Sequence, residues 1–425
     1  MAKDVNKILK EVLTKIDPSK EETKFILESL NHFLERLETK RKKMKIEAEV
    51  FVGGSYAKET LIKKDKYDVD VFLRFDKRYK EEEISKLAKK MISGSKFSTI
   101  HGSRDYFEIK VSPLLVIELI PVMKVKKTSE AENITDLSYS HVKYIRKKIK
   151  DKKILDEIKL AKAFCYGNNC YGAESYIKGF SGYSLELLVY HYKTFIKFLK
   201  EMVKVKQKTV IDIEKQFKNK QETLLNLNSS KLASPVILID PTYKQRNALA
   251  GLSEETFLKF QKSAKEFLKN PDIRFFEEEV LNIQKIKEKA NKNKNDFALI
   301  EIETSKQEGD IAGSKLLKFH NHLLEEIGKL FDIKDKGFEY PGNKKARIFF
   351  VAKKKKEVIC NGPFVSDKEN VSKFKKEHKK TFIKKGRIYA KEQVKENLKD
   401  FLGKWKVKNS ARIKEMYITD IKIIG

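Results

Sequence analysis

The sequence has few cysteines and histidines. Its three cysteines, Cys165, Cys170 and Cys360, form no Cys-x-x-Cys pair, and its seven histidines are scattered. A structural zinc site usually takes its four ligands from paired cysteine and histidine motifs. His320 and His322 are close in sequence, but on a predicted helix two residues at this spacing face different sides. The sequence therefore predicts no structural zinc and cysteines that stay reduced inside the cell.

Long apolar segments are also missing. Residues 1–5 contain no apolar signal region, and no uncharged stretch of about eighteen apolar residues occurs in the chain. The sequence therefore predicts a soluble, cytoplasmic protein without a membrane partner.

Negative charge is scarce compared with positive charge. Lysine and arginine number 92 against 61 aspartates and glutamates, which gives a formal net charge of +31. Thermostable or salt-adapted surfaces tend to balance the two signs, and this sequence does not. The excess predicts a polyanionic partner, nucleic acid above all, whose binding weakens steeply as salt rises.

The length of 425 residues predicts two to four domains, and no internal repeat is present. Residues 5–38 have the apolar period of two helices, and the next hundred residues alternate predicted strands with a helix over 82–92. The predicted strands cover residues 49–53, 68–75, 106–111 and 114–122. This pattern indicates an α+β catalytic module.

The rest of the chain predicts a helical module followed by a second α+β region. Predicted helices cover residues 140–150, 155–166, 181–203, 252–268 and 313–331, and predicted strands cover 234–241, 296–304, 346–352 and 355–360. The last sixty residues alternate lysine-rich turns with short predicted strands and contain Trp405, which indicates a small basic appendage.

The most informative motif is a glycine-serine turn followed by two acids. Gly53-Gly54-Ser55 follows an apolar run, and Ser55 is predicted to cap a helix whose free N–H groups hold a triphosphate. Asp68 and Asp70 point to the same side of a predicted strand and can reach one metal ion. Either half alone is usually a plain turn or a solvated strand face. Their combination predicts a two-metal nucleotidyl-transfer site.

A third metal ligand is predicted at Glu118. This residue is the single acid in the apolar run from Leu114 to Val122, and an acid there is costly unless it is paired or binds cations. The alternative is a salt bridge from Glu118 to a lysine such as Lys110. Glu108, on the neighbouring predicted strand, is the weaker candidate.

Several blocks of the sequence resemble the archaeal-type, class I CCA-adding enzymes, which are tRNA nucleotidyltransferases of the polymerase-beta-like superfamily. The blocks run through nearly the whole chain and comprise residues 53–70, 137–144, 171–183, 240–247 and 362–365. The first block is common to the superfamily, whereas Tyr171-Gly-Ala-Glu and Gly179-Phe-Ser-Gly-Tyr183 are far more specific to this family.

The resemblance implies an α+β architecture with a nucleotidyltransferase head, a helical neck, an α+β body and a small basic tail. We expect the head over residues 1–137, the neck over 138–255, and the body and tail, which would bind tRNA, over 256–425. The implied reaction adds C, C and A to the 3′ end of tRNA from CTP and ATP.

The resemblance also implies roles for individual residues. Asp68, Asp70 and Glu118 would bind Mg²⁺ and carry catalysis. The implied nucleotide-binding residues are Gly54, Ser55, Lys58, His141, Lys162, Tyr171 and Arg246. A long cation such as Lys162 aimed at a carboxylate site also suits a phosphate group on chemical grounds, although it could be an ordinary surface lysine.

Two positions depart from the family pattern. The family usually has Asp where this chain has Glu118, and Arg where it has Lys58. We therefore expect Glu118 to narrow the range of metal geometries that the site tolerates, and Lys58 to lack the bidentate phosphate contact that an arginine makes. We still expect the enzyme to be active.

Two other functions remain open from the sequence. A poly(A) polymerase-like RNA-terminal transferase would share the same head, and a catalytically weakened RNA-binding protein would share the charge of +31. The sequence leaves a homodimer open as well.

Overall fold

The computed structural model describes residues 5–102, 104–278 and 282–424. The chain divides into two compact units, Met1–Glu279 and Val280–Gly425. Each unit builds hydrophobic cores of its own. No helix in these described ranges is both long enough and apolar enough to span a membrane.

The N-terminal unit begins with a five-stranded mixed sheet. Its strands are β1 (Ala48–Val52), β2 (Tyr67–Phe75), β3 (Phe97–Ile100), β4 (Tyr106–Lys110) and β5 (Leu115–Met123), in the spatial order β1-β2-β5-β4-β3. Strands β2 and β5 are parallel, and the other neighbours are antiparallel. The accompanying helices are α1 (Val5–Ile16), α2 (Lys20–Lys43), α3 (Gly54–Ala57) and α4 (Glu81–Met91). The predicted mixed sheet is confirmed, and β3 is a strand that the prediction lacked.

Alternation along β2 decides which face of this sheet is covered. Val69, Val71 and Leu73 are buried and pack in one core with the apolar sides of α2 and α4. Helix α2 begins where it does because Ser19 and Glu22 form a capping box, in which each side chain accepts a hydrogen bond from the other's backbone N–H. The opposite face of β2 carries Asp68 and Asp70, followed by the buried Phe72 and Arg74.

The second part of the N-terminal unit is mainly helical. Its helices are α5 (Ser138–Lys148), α6 (Lys152–Gly167), α7 (Gly182–Tyr192), α8 (Phe195–Lys204), α9 (Lys220–Asn226) and α10 (Glu254–Lys269). A three-stranded sheet, β6 (Thr209–Ile211), β7 (Val236–Asp240) and β8 (Tyr243–Asn247), accompanies them. Phenylalanines fill the core of this part. The core rings include Phe164, Phe180, Phe195, Phe198, Phe260 and Phe267.

The single helix predicted over residues 181–203 is wrong. Two helices, α7 and α8, replace it, because Lys193 has a left-handed backbone with φ of 73°. Thr194 then caps α8 by accepting a hydrogen bond from the backbone N–H of Lys197. Helical periodicity continues through the break, so the apolar pattern alone could not locate it.

Helix α10 belongs to the N-terminal unit, whereas the expected limits of 256–425 assign most of it to the body. Phe260 packs 5.5 Å from Phe198 and 5.9 Å from Phe164, measured between ring centroids, in the phenylalanine core. The division of this unit into head and neck stays a prediction.

The C-terminal unit is α+β. Its elements are α11 (Ile283–Lys292), β9 (Asp296–Thr304), α12 (Asp310–Leu330), β10 (Phe331–Glu339), β11 (Lys345–Lys354), β12 (Glu357–Phe364), α13 (Lys368–Glu377), β13 (Thr381–Lys384), β14 (Arg387–Gln393), α14 (Leu398–Lys408), α15 (Ser410–Glu415) and β15 (Ile418–Ile423). They form two antiparallel sheets, one of order β10-β11-β9-β15 and one of order β12-β14-β13.

The last sixty residues are not the expected series of short strands and turns. They contain helices α13, α14 and α15, and β15 pairs with β9 to extend the four-stranded sheet. Trp405 lies on α14 and is buried in the core of that sheet, 6.2 Å from Phe319 between ring centroids. Residues 398–423 therefore complete the C-terminal unit, because their apolar side chains fill its core.

We predict that Trp405→Ala destabilises the C-terminal unit by about 3 kcal/mol, since it removes a buried aromatic ring and leaves a cavity. The substitution also removes the indole N–H that donates to Glu326 at 3.3 Å. Trp405 is the single tryptophan of the sequence, so the variant has no tryptophan fluorescence to report unfolding. Unfolding should therefore be followed by circular dichroism and by hydrogen exchange of the β15 backbone amides.

Val407→Ala is the matched control, because Val407 lies on the same helix with 77% of its surface exposed. We expect the free energy of unfolding of this variant to lie within about 0.5 kcal/mol of that of the unaltered chain. Equal stability of the two variants would contradict the role of Trp405 in the core.

Candidate active site

Three acidic side chains lie on the face of the five-stranded sheet opposite α2 and α4. Asp68 and Asp70 alternate along β2 with core residues, and Asp70 is directly opposite Glu118 in the register of β2 and β5. Neighbouring strands are about 4.8 Å apart, so these two side chains leave the sheet side by side. Glu108 on β4 is opposite Glu118 on its other side. The structure therefore brings together the three predicted acids, with Glu108 next to them.

The charges of these acids repel one another. Burial and the charge of Asp68 raise the pKa of Asp70 to about 6. Burial and the charges of Asp70, Asp68 and Glu108 raise the pKa of Glu118 to about 8. Nearby lysines offset only part of this effect. The charged forms of Asp70 and Glu118 are therefore disfavoured at this face, and a bound cation would stabilise them.

Lysines surround the acids but do not neutralise Glu118. Lys64 forms an ion pair with Asp68 at 3.3 Å between Nζ and Oδ1. Burial alone would lower the pKa of Lys64, but Asp68 and Tyr166 raise it. Within the described ranges, neither Lys110 nor another basic residue lies within 4 Å of the Glu118 carboxylate. The alternative of a salt bridge from Glu118 to Lys110 is therefore wrong.

The glycine turn lies directly against Asp70. The backbone N–H of Gly53 donates to the carbonyl of Asp70 at 2.9 Å. Gly54 has a φ of 62°, and a Cβ at this position would be 1.6 Å from Asp70 Oδ2. Only glycine accommodates both the left-handed backbone and this close approach. The turn and the carboxylates thus form one site.

The prediction that Ser55 caps a helix is wrong. Helix α3 spans only Gly54–Ala57, and Gly53 precedes it without a side-chain cap. Ser55 therefore lies inside a single turn of helix, and its hydroxyl has no hydrogen-bond partner in the described part of the chain. A short turn of N–H groups with one free hydroxyl replaces the expected capped helix.

The donors at this face suit a hard divalent cation, since they are carboxylate oxygens. As they stand, no group of three or more His, Cys, Asp or Glu side chains in the described residues is arranged to hold a metal ion. The chemistry of the donors fits Mg²⁺, and binding would require the side chains to converge.

A buried cluster of charges lies next to the turn. Glu186 on α7 accepts hydrogen bonds from Lys58 at 2.7 Å, from Lys162 at 3.0 Å and from the Thr60 hydroxyl at 3.0 Å. Burial alone would raise the pKa of Glu186, but the two lysines lower it below its ordinary value. Burial lowers the pKa of Lys162 to about 8. Lys162 is not the surface lysine that the sequence left open.

A second polar cluster joins side chains from α5, α7, β7 and β8. Asp240 accepts hydrogen bonds from His141 Nε2 at 2.9 Å, from Arg246 Nη1 at 2.7 Å and from the Tyr183 hydroxyl at 3.0 Å. Burial opposes the charge of Asp240, but His141 and Arg246 lower its pKa. Burial also lowers the pKa of His141, whose ring stacks on Tyr183 with centroids 4.0 Å apart. His141 and Arg246, predicted to share a pocket, do lie together.

Tyr171 lies at the edge of the charged cluster. Its ring stacks on Tyr166 with centroids 4.0 Å apart, and Lys64 lies 5.0 Å from the Tyr166 ring. Burial raises the pKa of Tyr171 well above its usual range, so its hydroxyl remains a neutral donor. A Cβ on Gly182, at the start of α7, would be 2.7 Å from this hydroxyl.

Sequence reasoning missed Glu186 and Asp240 as members of the site. Glu186 is a single acid between Leu185 and Leu187, and Asp240 ends the buried strand β7. The signal that singled out Glu118, a lone acid in an apolar run, was present at both positions.

A cavity of about 860 Å³ is lined in part by Tyr56 and Ala57 of α3 and by none of the predicted site residues. Apolar and aromatic side chains make up most of its walls, including Ile26, Phe51, Tyr56, Leu61, Tyr139 and Val142. The catalytic assignment rests on the acids and the turn, since this cavity has neither.

Comparisons with known proteins match both parts of the N-terminal unit. The family model described as "Nucleotidyltransferase domain" matches residues 30–156, and the model described as "tRNA nucleotidyltransferase, second domain" matches residues 156–277. A solved structure of Cid1, described by its RNA terminal uridylyl transferase activity, superposes with a TM-score of 0.52 at 13% identity and covers 66% of this chain and 99% of that chain. That likeness shows the fold of a polymerase-beta-like nucleotidyltransferase, as predicted.

Two relatives identify the family. The CCA-adding enzyme of Nanoarchaeum equitans is 34% identical over 348 residues, covering 80% of this chain and 83% of the relative. The CCA-adding enzyme of Methanocaldococcus jannaschii is 28% identical over 397 residues, covering 91% and 87%. The chain belongs to the archaeal-type CCA-adding enzymes and is a tRNA nucleotidyltransferase.

Proposed function

We propose that this enzyme adds C, C and A in turn to the 3′ end of tRNA, using CTP and ATP and releasing pyrophosphate at each addition. The observation that carries the proposal is the placement of Asp70 directly opposite Glu118, with Gly54 against the Asp70 carboxylate. Nucleotidyl transfer from a triphosphate needs acidic metal ligands beside a phosphate-binding turn, and this face offers both.

The acids Asp68, Asp70 and Glu118 are the proposed Mg²⁺ ligands. Bound there, divalent ions would activate the terminal ribose hydroxyl and stabilise charge on the triphosphate. The fixed register of β2 and β5 sets the spacing of Asp70 and Glu118. Lys64 orients Asp68 through their ion pair at 3.3 Å.

The triphosphate is proposed to lie along Gly54, Ser55 and Lys58. The buried Lys162 would add positive charge beside it. The free hydroxyl of Ser55 and the N–H groups of the turn can donate to phosphate oxygens. Lys58 and Lys162 carry two positive charges against the single charge of Glu186, so this cluster favours an anion.

The base is proposed to lie near His141, Tyr171 and Arg246. The Arg246 Nε–H is buried and has no hydrogen-bond partner among the described residues, whereas Nη1 is held by Asp240. A donor fixed in this way can read an acceptor on a base without a nucleic-acid template. The net charge of +31 supports binding of the tRNA, with the C-terminal unit contributing.

The test is extension of a tRNA trimmed to its discriminator base. We expect CTP alone to add two residues, ATP alone to add none, and both together to add three. Gel electrophoresis at nucleotide resolution reads the products.

A long A tail made from ATP alone would replace the proposal with a poly(A) polymerase-like activity. Retained tRNA binding without any extension would indicate a catalytically weakened RNA-binding protein.

The substitution Asp70→Asn tests the metal assignment. We expect CTP incorporation to fall by more than about 100-fold, since even outer partners of metal ligands cost about 10- to 100-fold. Because Asp70 carries a raised pKa, removing its charge also removes repulsion, so the unfolding midpoint should equal or exceed that of the unaltered enzyme. Incorporation and thermal unfolding are measured on the same preparation, with tRNA binding at fixed salt.

Asp76→Asn is the control, because Asp76 is an exposed acid just beyond the other end of β2, where it accepts from the Arg78 backbone N–H. Its activity should stay within about twofold, as expected for a surface substitution. Turnover by the Asp70→Asn variant close to that of this control would contradict the assignment.

A further inference from the structure

Glu186 is a carboxylate without access to solvent. Its side chain is 0% exposed, and its neighbours along α7, Leu185 and Leu187, are core residues. A charge in such a position persists only when it is paired and hydrogen-bonded. Its partners therefore explain why it is there.

Three segments of the N-terminal unit meet at this carboxylate. Oε2 accepts from Lys58 Nζ at 2.7 Å, and Oε1 accepts from Lys162 Nζ at 3.0 Å and from the Thr60 hydroxyl at 3.0 Å. Lys58 and Thr60 follow the short helix α3, whereas Lys162 lies on α6. Glu186 thus links the segment after the glycine turn to two buried helices.

The two lysines differ in the donors that they have left. Lys162 uses its three N–H donors on the Thr60 carbonyl at 3.2 Å, the Thr60 hydroxyl at 2.6 Å and Glu186. Lys58 makes one hydrogen bond, to Glu186, within the described ranges and is 9% exposed on its side chain. Lys58 therefore keeps two donors for another anion.

We propose that Glu186 is a positioning residue that holds the Lys58 ammonium in place to bind the triphosphate end of the nucleotide, while Lys162 balances the charge of Glu186. The inference rests on the proposed function. A lysine has a flexible four-carbon stem and no fixed fork of donors, so a buried anchor is what gives Lys58 a defined direction. Glu186 touches no reacting atom and acts through Lys58.

The test is equilibrium binding of ATP and AMP to the full chain without tRNA, comparing the unaltered protein with Glu186→Gln. Glutamine keeps the size but loses the charge, so Lys58 is no longer fixed. We expect ATP binding to weaken about tenfold or more, and AMP binding, which lacks the β and γ phosphates, to change less than about twofold. In extension assays, KM for CTP and ATP should rise more than kcat falls.

Glu157→Gln is the matched control. Glu157 lies on α6, and its carboxylate accepts a hydrogen bond from the Phe195 backbone N–H at 2.6 Å. This hydrogen bond involves neither Lys58 nor Lys162. The ratio of ATP to AMP affinity of the Glu157→Gln variant should equal that of the unaltered chain. If Glu186→Gln fails to fold, Thr60→Val removes one donor to Glu186 and should lower the ratio in the same direction by a smaller factor.

An unchanged ratio of ATP to AMP affinity in folded Glu186→Gln would overturn the inference. Equal weakening of both ligands together with a lowered unfolding midpoint would overturn it as well, because that outcome means a structural role only. If the unaltered protein fails to extend tRNA but Glu186→Gln still lowers the ratio of ATP to AMP affinity, the proposed function fails, and the part of the inference that survives is that Glu186 positions Lys58 to bind phosphate.

Discussion

Repulsion between like charges on β2 and β5 is the constraint on which the N-terminal unit depends. The strand register fixes Asp70 opposite Glu118, and the fold cannot relieve this contact without losing the sheet pairing. Both carboxyls respond with raised pKa values because burial and neighbouring acids disfavour their charged forms. A cation bound at this face would favour the charged carboxylates and so stabilise the folded N-terminal unit.

Around these acids the chain places basic side chains that differ in how deeply they are buried. Lys64 is paired with Asp68 at the surface of the site, while Lys58 and Lys162 are held by the buried Glu186. Asp240 has the same role for His141 and Arg246. Glu186 and Asp240 thus each hold two basic side chains, which are the residues proposed to bind the nucleotide. Such supporting contacts determine how well a site is preorganised.

Much of this site could be predicted from local sequence. The alternation of valines with Asp68 and Asp70, and the single acid Glu118 in an apolar run, give strand, face and chemistry together. The break at Lys193 could not be predicted, because its left-handed backbone occurs at a lysine and no glycine or proline marks the position. The joining of His141 to Asp240, 99 positions apart, depends on tertiary contacts. Trp405 was misjudged because the lysines around it outweighed its apolar partners.

The pairing of β15 with β9 has a consequence for biosynthesis. Thr304 and Tyr417 meet across a separation of 113 positions, so this contact forms only after nearly the whole C-terminal unit has been made. Until then, β9 presents an open edge bearing Ile300 and Ile302, which are fully covered in the finished sheet. An open apolar edge can pair with another nascent chain. During translation, the unpaired edge of β9 is therefore a point at which the C-terminal unit can misassemble.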